Sequence, residues 1–235
     1  MGSPEHESSG FKMFKAPYEL PDVQAVVGAQ IVGIREQEKL YGPAYTTRLI
    51  KYALQFEAQR IGEEPTEDIN TLDQLTEYIV SKTDKYPTPN CVVMCAQLKA
   101  ENDFQGQTGA ATRVGEMGFH REFVQSTIGG EMNVDLDEVI SNLVHTAFEM
   151  KLGPKEFGYR TNQDKSIDLL FPNCYYKDGC RQALYEGLLN RPDGRMQCSI
   201  GSTMCQYLKL VTGFEWDYDC LEFDEPHCIA RCYKF

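Results

Sequence analysis

No CxxC pair, nucleotide-binding glycine motif or CxxCH haem signature occurs in this 235-residue chain. Without a CxxC knuckle, no single turn supplies two of the four ligands that a zinc or iron–sulfur centre needs. Glycines 106, 109, 115 and 118 fit neither the phosphate loop nor the dinucleotide turn. No apolar run approaches the roughly 20 residues that cross a bilayer. Basic residues are also short, with 23 Lys and Arg against 35 Asp and Glu, a net charge of −12. That balance disfavours nucleic acid and anionic membranes as partners. The first 20 residues carry no apolar secretory stretch and read as a flexible polar leader to one domain over 21–235. The expected location is the cytoplasm.

What the chain has in plenty is cysteine. Nine are present, and seven fall in the last 62 residues. Thiols stay reduced in the cytoplasm, so the skew points to metal or thiol chemistry rather than a disulfide scaffold.

Apolar spacing outlines the elements. Leu49, Ile50, Ala53, Leu54 and Ile61 share a helical face that Gly62 ends. Thr71 and Gln74 form a capping box before the stripe Leu72, Leu75, Ile79. The run "PNCVVMCAQLKA" reads as a strand after a Pro-rich turn. A long Gly-rich stretch follows, holding either a short helix near Val114–Gln125 or a lid. The clearest helix starts at Asp135, buries Leu136, Val139, Ile140, Leu143, Val144 and Ala147, and stops at Gly153-Pro154. "KEFGYRTNQDKSIDLLF" reads as a hairpin, and "DGCRQALYEGLLN" and "CSIGSTMCQYLKLVTG" as helices. "FEWDYDCLEFD" alternates, with Phe214, Trp216, Tyr218 and Cys220 on one face. Residues 228–235 supply a last strand. The expected fold is α+β, one domain, an antiparallel sheet flanked by helices.

Geometry sorts the thiols. Residues i and i+4 of a strand lie about 13 Å apart, so Cys91 and Cys95 read as packing, and Cys228 and Cys232 cannot share an ion unless the chain turns between them. Cys198 and Cys205, two helical turns apart, are about 10.5 Å from one another and do not share one either. Cys174 and Cys180 flank a Gly-containing turn at a helix start, where N–H groups favour thiolate. Cys198 also opens a helix. The expected ligand set is Cys174, Cys180, Cys198 and Cys228, with Glu225 or Cys232 as substitutes, holding zinc or an iron–sulfur cluster. The same thiols could equally be buried without a ligand.

Other residues suggest weaker sites. Arg113, His120 and Arg121 could clamp an anion at a pocket mouth, or form surface ion pairs. Trp216 and its aromatic neighbours could line a ligand cavity or simply pack. His145 could hold haem or sit at a core edge. His227 could activate Cys180 in a cysteine hydrolase, and an incomplete metal site could activate water instead.

The C-terminal third resembles the 4-vinyl reductase domain family. The likeness rests on a helix that opens with Cys and closes on Gly, the alternating strand after it, and the ending "EPHCIARCYKF". "GPAYTTRLIKYALQFEAQRIGEE" is similar to the amphipathic helix that opens such domains. The resemblance implies a fold related to TRAPP subunits and haem-NO sensors, and a homodimer binding a small hydrophobic or aromatic molecule. It also implies a structural zinc on Cys198, Glu225, Cys228 and Cys232. Family members place a Gly-Asp turn between the last two cysteines, whereas here only "IAR" separates them. No basic recognition face is present, so a sensing role would need a partner protein.

Overall fold

A computed structural model describes residues 10–63, 68–85, 90–105, 135–188, 191, 193–223 and 227–234. In chain order the first elements are β1 (Lys12–Lys15), α1 (Val23–Tyr41), α2 (Pro43–Ile61), α3 (Leu72–Ser81) and α4 (Asn90–Gln105). Then come α5 (Leu136–Glu149), β2 (Glu156–Thr161), β3 (Ile167–Phe171) and α6 (Lys177–Tyr185). The chain closes with α7 (Ser199–Thr212), β4 (Trp216–Phe223) and β5 (Cys228–Lys234). The strands form one antiparallel sheet in the order β1-β2-β3-β5-β4. The fold is α+β, as the periodicity predicts.

Two apolar cores organise the molecule. The helical core holds Ile34 of α1, Leu49 of α2, Leu75 of α3, Leu98 of α4 and Ala183 of α6. The sheet core packs Ile140 of α5 and Leu208 of α7 on Tyr159, Phe171 and Tyr218 of the strands. Local chemistry sets the helix ends. Asp22, Thr71 and Asp135 accept N–H bonds at the starts of α1, α3 and α5, and Thr71 and Gln74 complete the capping box. Gly62 and Gly213 end α2 and α7 in the left-handed conformation.

Three expectations change. "CVVMCAQL" is the first half of helix α4, not a strand. An apolar run has no period when every side of the element is buried, and Cys91 through Ala96 are all buried, Val92 through Ala96 within the helical core. Cys91 and Cys95 thus lie one turn apart on one helix face, and their thiols donate to the carbonyls of Tyr175 and Gly179 at 3.6 and 3.4 Å. Their reading as buried packing holds. The leader contains an edge strand, since residues 12–15 pair with β2. Phe214 precedes β4 and is 53% exposed, so it is no part of the buried face made by Trp216 and Tyr218. The expected helix or lid near Val114–Gln125 lies outside the described residues.

α4 and α6 touch where Gly179 faces Cys91. A Cβ on Gly179 would stand 2.7 Å from the Cys91 Cβ and 2.9 Å from its Sγ. Gly179→Ala is therefore expected to destabilise the fold by about 1–3 kcal/mol, as overpacking does. Chemical denaturation would show it as a lower midpoint at unchanged slope.

Candidate functional site

Between the two cores the packing leaves a cavity of about 220 Å³. Four helices turn a stripe toward it. α1 contributes Val26, Ala29, Gln30 and Gly33, at the i, i+3, i+4, i+7 spacing of one helical face, while Val27, Ile31 and Ile34 of the same helix enter the helical core. Met94 and Gln97 come from α4, and Leu143, Val144, Ala147 and Phe148 from α5. α7 supplies Ser199, Ile200, Thr203 and Met204. Phe157 and Phe171 close the sheet side, with Tyr175 and Tyr176 at a corner where their rings lie 4.4 Å apart.

No charged side chain is among the described residues of this wall. Its polar groups are few. Gln97 Nε2 donates to Gln37 at 3.2 Å, and Ser199 Oγ faces Met94 Sδ at 3.6 Å. Gln30 Nε2 donates to the Asn90 carbonyl at 3.3 Å, and its Oε1 has no partner among the described residues. A cavity of 150 Å³ can hold benzene, so about 220 Å³ admits one ring with a short substituent, on the order of ten non-hydrogen atoms.

A second, smaller space of about 20 Å³ adjoins it and shares Phe171, Tyr176, Ser199 and Ile200 as wall. Five thiols face this recess: Cys174, Cys180, Cys198, Cys220 and Cys228. The four expected ligands thus come together, from the β3–α6 turn, α6, the cap of α7 and β5. Cys220 joins them from β4, beside the bulge between Cys220 and Glu222. Cys198 caps α7, its Sγ accepting the Gly201 N–H at 3.4 Å. Gln197 also lines the recess at 1% exposure, and neither of its amide atoms has a partner among the described residues.

Burial pushes the thiols of Cys174 and Cys180 well up, and neighbouring sulfurs push them further. Burial, then Cys198 and Cys228, raises Cys220 to about 12. Burial thus favours the neutral thiol form of these groups. The expectation that a helix start would make Cys180 a ready thiolate is therefore corrected, because desolvation outweighs the helix dipole here.

As a metal site the recess has soft donors, room for about one small atom and an amide without a partner among the described residues, with the buried Lys177 also in its wall. Among the described residues, however, no group of three or more His, Cys, Asp or Glu side chains is set to hold an ion. Closing on one would take rotation of the thiols toward a common point.

The remaining candidates lie elsewhere. Cys232 belongs to the sheet core, four residues along a regular strand from Cys228, with its Sγ 3.9 Å from the Gly201 carbonyl. Cys228 pairs with Phe171 and Cys232 with Ile167, so the strand holds the two apart as its rise requires. Trp216 is buried in the sheet core, where its Nε1 donates to Thr212 at 3.0 Å, and it does not face the cavity. His227 meets Glu222 at 2.8 Å and is not among the recess walls with Cys180. His145 is exposed and sets its ring edge-on to Phe14 at 5.6 Å. Arg113, His120, Arg121 and Glu225 lie outside the described residues.

Fold and site together define an α+β domain with an apolar chamber between its layers and a thiol recess beside it. No protein-family model, curated protein or solved structure matches the chain.

Proposed function

We propose that the protein is a binding module for a small, neutral, hydrophobic or aromatic molecule. The observation that carries this reading is the 220 Å³ apolar cavity walled by both layers. Its described wall offers shape, aromatic edges and a few uncharged polar groups, and among the described residues no charged group that could hold a phosphate, a carboxylate or an ammonium. A charged ligand would lose its hydration there without gaining a counter-ion. No described helix is long and apolar enough to cross a membrane.

Calorimetry with ethylbenzene and phenylacetate tests this directly. Ethylbenzene is expected to bind with a Kd on the order of 10 µM to 1 mM, the range open to a ligand of its size. Phenylacetate is expected to bind at least about tenfold more weakly, because its carboxylate enters unpaired. Equal affinities, or binding of the anion alone, would contradict the reading.

A second element of the proposal is one zinc ion on the recess thiols. What supports it is that Cys174, Cys180, Cys198, Cys220 and Cys228 all line one small recess, a soft donor set although the thiols are not drawn onto a common point. A bound cation would reverse the burial penalty and hold these sulfurs as thiolates. The site would be structural, closed by four protein ligands. Elemental analysis of anaerobically purified protein is expected to give near-stoichiometric zinc. Cys180→Ser and Cys228→Ser are expected to lower it severalfold, whereas Cys232→Ser leaves it unchanged. Iron with labile sulfide would assign the thiols to a cluster, and a metal-free protein would refute the metal altogether.

A further inference from the structure

The apolar cavity and the thiol recess are neighbours with a common wall, made by Phe171, Tyr176, Ser199 and Ile200. Each of the four central thiols is tied through the backbone to part of that wall. Cys174 and Cys180 bracket Tyr176, with the Lys177 N–H donating to the Cys174 carbonyl at 3.1 Å and the Cys180 N–H to the Tyr176 carbonyl at 2.9 Å. Cys198 immediately precedes Ser199 and Ile200 and caps their helix. Cys228 is the register partner of Phe171 across β3 and β5. Tyr175 carries the connection further, since its hydroxyl donates to the carbonyl of Leu152, another cavity residue, at 2.8 Å.

We propose that occupancy of the recess by a metal ion and occupancy of the cavity by a small molecule control one another through this shared wall. The inference rests on both parts of the function proposed above and adds their coupling. Drawing the thiols onto one ion fixes the turn at Tyr175–Tyr176, the first turn of α7 and the end of β3 in a single arrangement. A ligand that then enters the cavity meets a wall already ordered and loses less freedom on binding. The coupling is therefore positive, and linkage makes it reciprocal. Gln197 favours the loaded state, because it lines the recess in which thiolates would form and its amide nitrogen, without a partner among the described residues, is a buried donor available to them.

The test uses the full chain, stripped of metal by chelator under anaerobic reducing conditions, and the same protein reloaded with zinc. Calorimetry with ethylbenzene is expected to give a Kd about tenfold lower for the zinc-loaded form, within the range common for coupled sites. Competition with a chelating dye, run on the loaded protein with and without saturating ethylbenzene, is expected to show zinc held more tightly by the same factor. This reciprocal arm needs no isolated metal-free protein, so it decides the matter even if stripping unfolds the chain. If zinc and ethylbenzene both bind and neither changes the other's affinity by twofold, the coupling is refuted while both sites stand. If zinc is not taken up, the metal site falls and the coupling with it. If ethylbenzene binds neither form, the cavity reading falls.

Discussion

Ala147→Phe is expected to abolish ethylbenzene binding, lowering its affinity at least about a hundredfold, while the melting temperature stays within about 3 °C of the parent. Ala147 stands on α5 one turn after Leu143, and both face the cavity. A phenyl group there enters space that packing has left open, so the overpacking penalty of a filled core is largely avoided. The added ring is the size of the benzene that a 150 Å³ cavity just accommodates, and it takes the room the ligand needs within 220 Å³. Glu149→Phe is the control, since Glu149 is exposed two residues further along the same helix. It should bind ethylbenzene as the parent does. Undiminished binding by a folded Ala147→Phe protein would place the ligand site elsewhere.

Asp168→Ala is expected to cost about 3 kcal/mol and to lower the melting temperature by about 6–12 °C. Asp168 is fully buried on β3 and lies between Arg160 of β2 and Arg231 of β5, each its direct cross-strand neighbour. Arg160 Nη2 donates to its Oδ2 at 2.6 Å, and Arg231 donates through Nε and Nη2 at 2.6 and 3.0 Å. The row continues to Asp219, which faces Arg231 across β4 and accepts from Arg195 at 2.7 Å. Removing the buried anion leaves two guanidinium groups facing one another over the sheet. Their outer atoms still reach water, which keeps the cost at the low end for a broken buried pair.

The same carboxylate gives the protein an acid-sensitive element. Burial pushes its pKa up, but the hydrogen bonds from Arg231 and Arg160 prevail and hold it at about 2. A carboxylate depressed in the folded state contributes stability above its unfolded pKa near 4 and loses it as the pH falls toward the folded value. The gap between the parent and Asp168→Ala should be complete at pH 7 and close progressively between about pH 4 and pH 2. Urea denaturation across that range checks it, and a gap independent of pH would assign Asp168 a role in packing alone.

Elements with one wet face are plain in the sequence. The stripe after the Thr71 capping box, the stripe of α5 between Asp135 and Gly153 and the alternation at Trp216 and Tyr218 each announce themselves by period, while the β2–β3 hairpin is legible from its polar turn although β3 is buried throughout. α4 does not, because a helix apolar on every side is indistinguishable from a buried strand over a short run. α1 did have a signal, in the Asp22 cap and the spacing of Val26, Val27, Ile31 and Ile34. The thiol recess was half legible. Helix starts and turns single out Cys174, Cys180 and Cys198, but Cys220 arrives through strand pairing and Gln197 has no motif at all. The cavity was the least accessible, because a void is a property of how separate stripes fail to meet. Residues 26–33, 94–97, 143–148 and 199–204 carry nothing that says they share a wall.

The most direct test of the central claim is a titration with ethylbenzene of protein carrying ¹³C-labelled methionine methyl groups. Met94 and Met204 lie on the cavity wall, while Met13 and Met150 are exposed at 42% and 43% and serve as internal controls. A ligand in the chamber should shift the Met94 and Met204 resonances along one saturable curve and leave Met13 and Met150 in place. Resonances of Met94 and Met204 that do not move at saturating ethylbenzene would contradict the account.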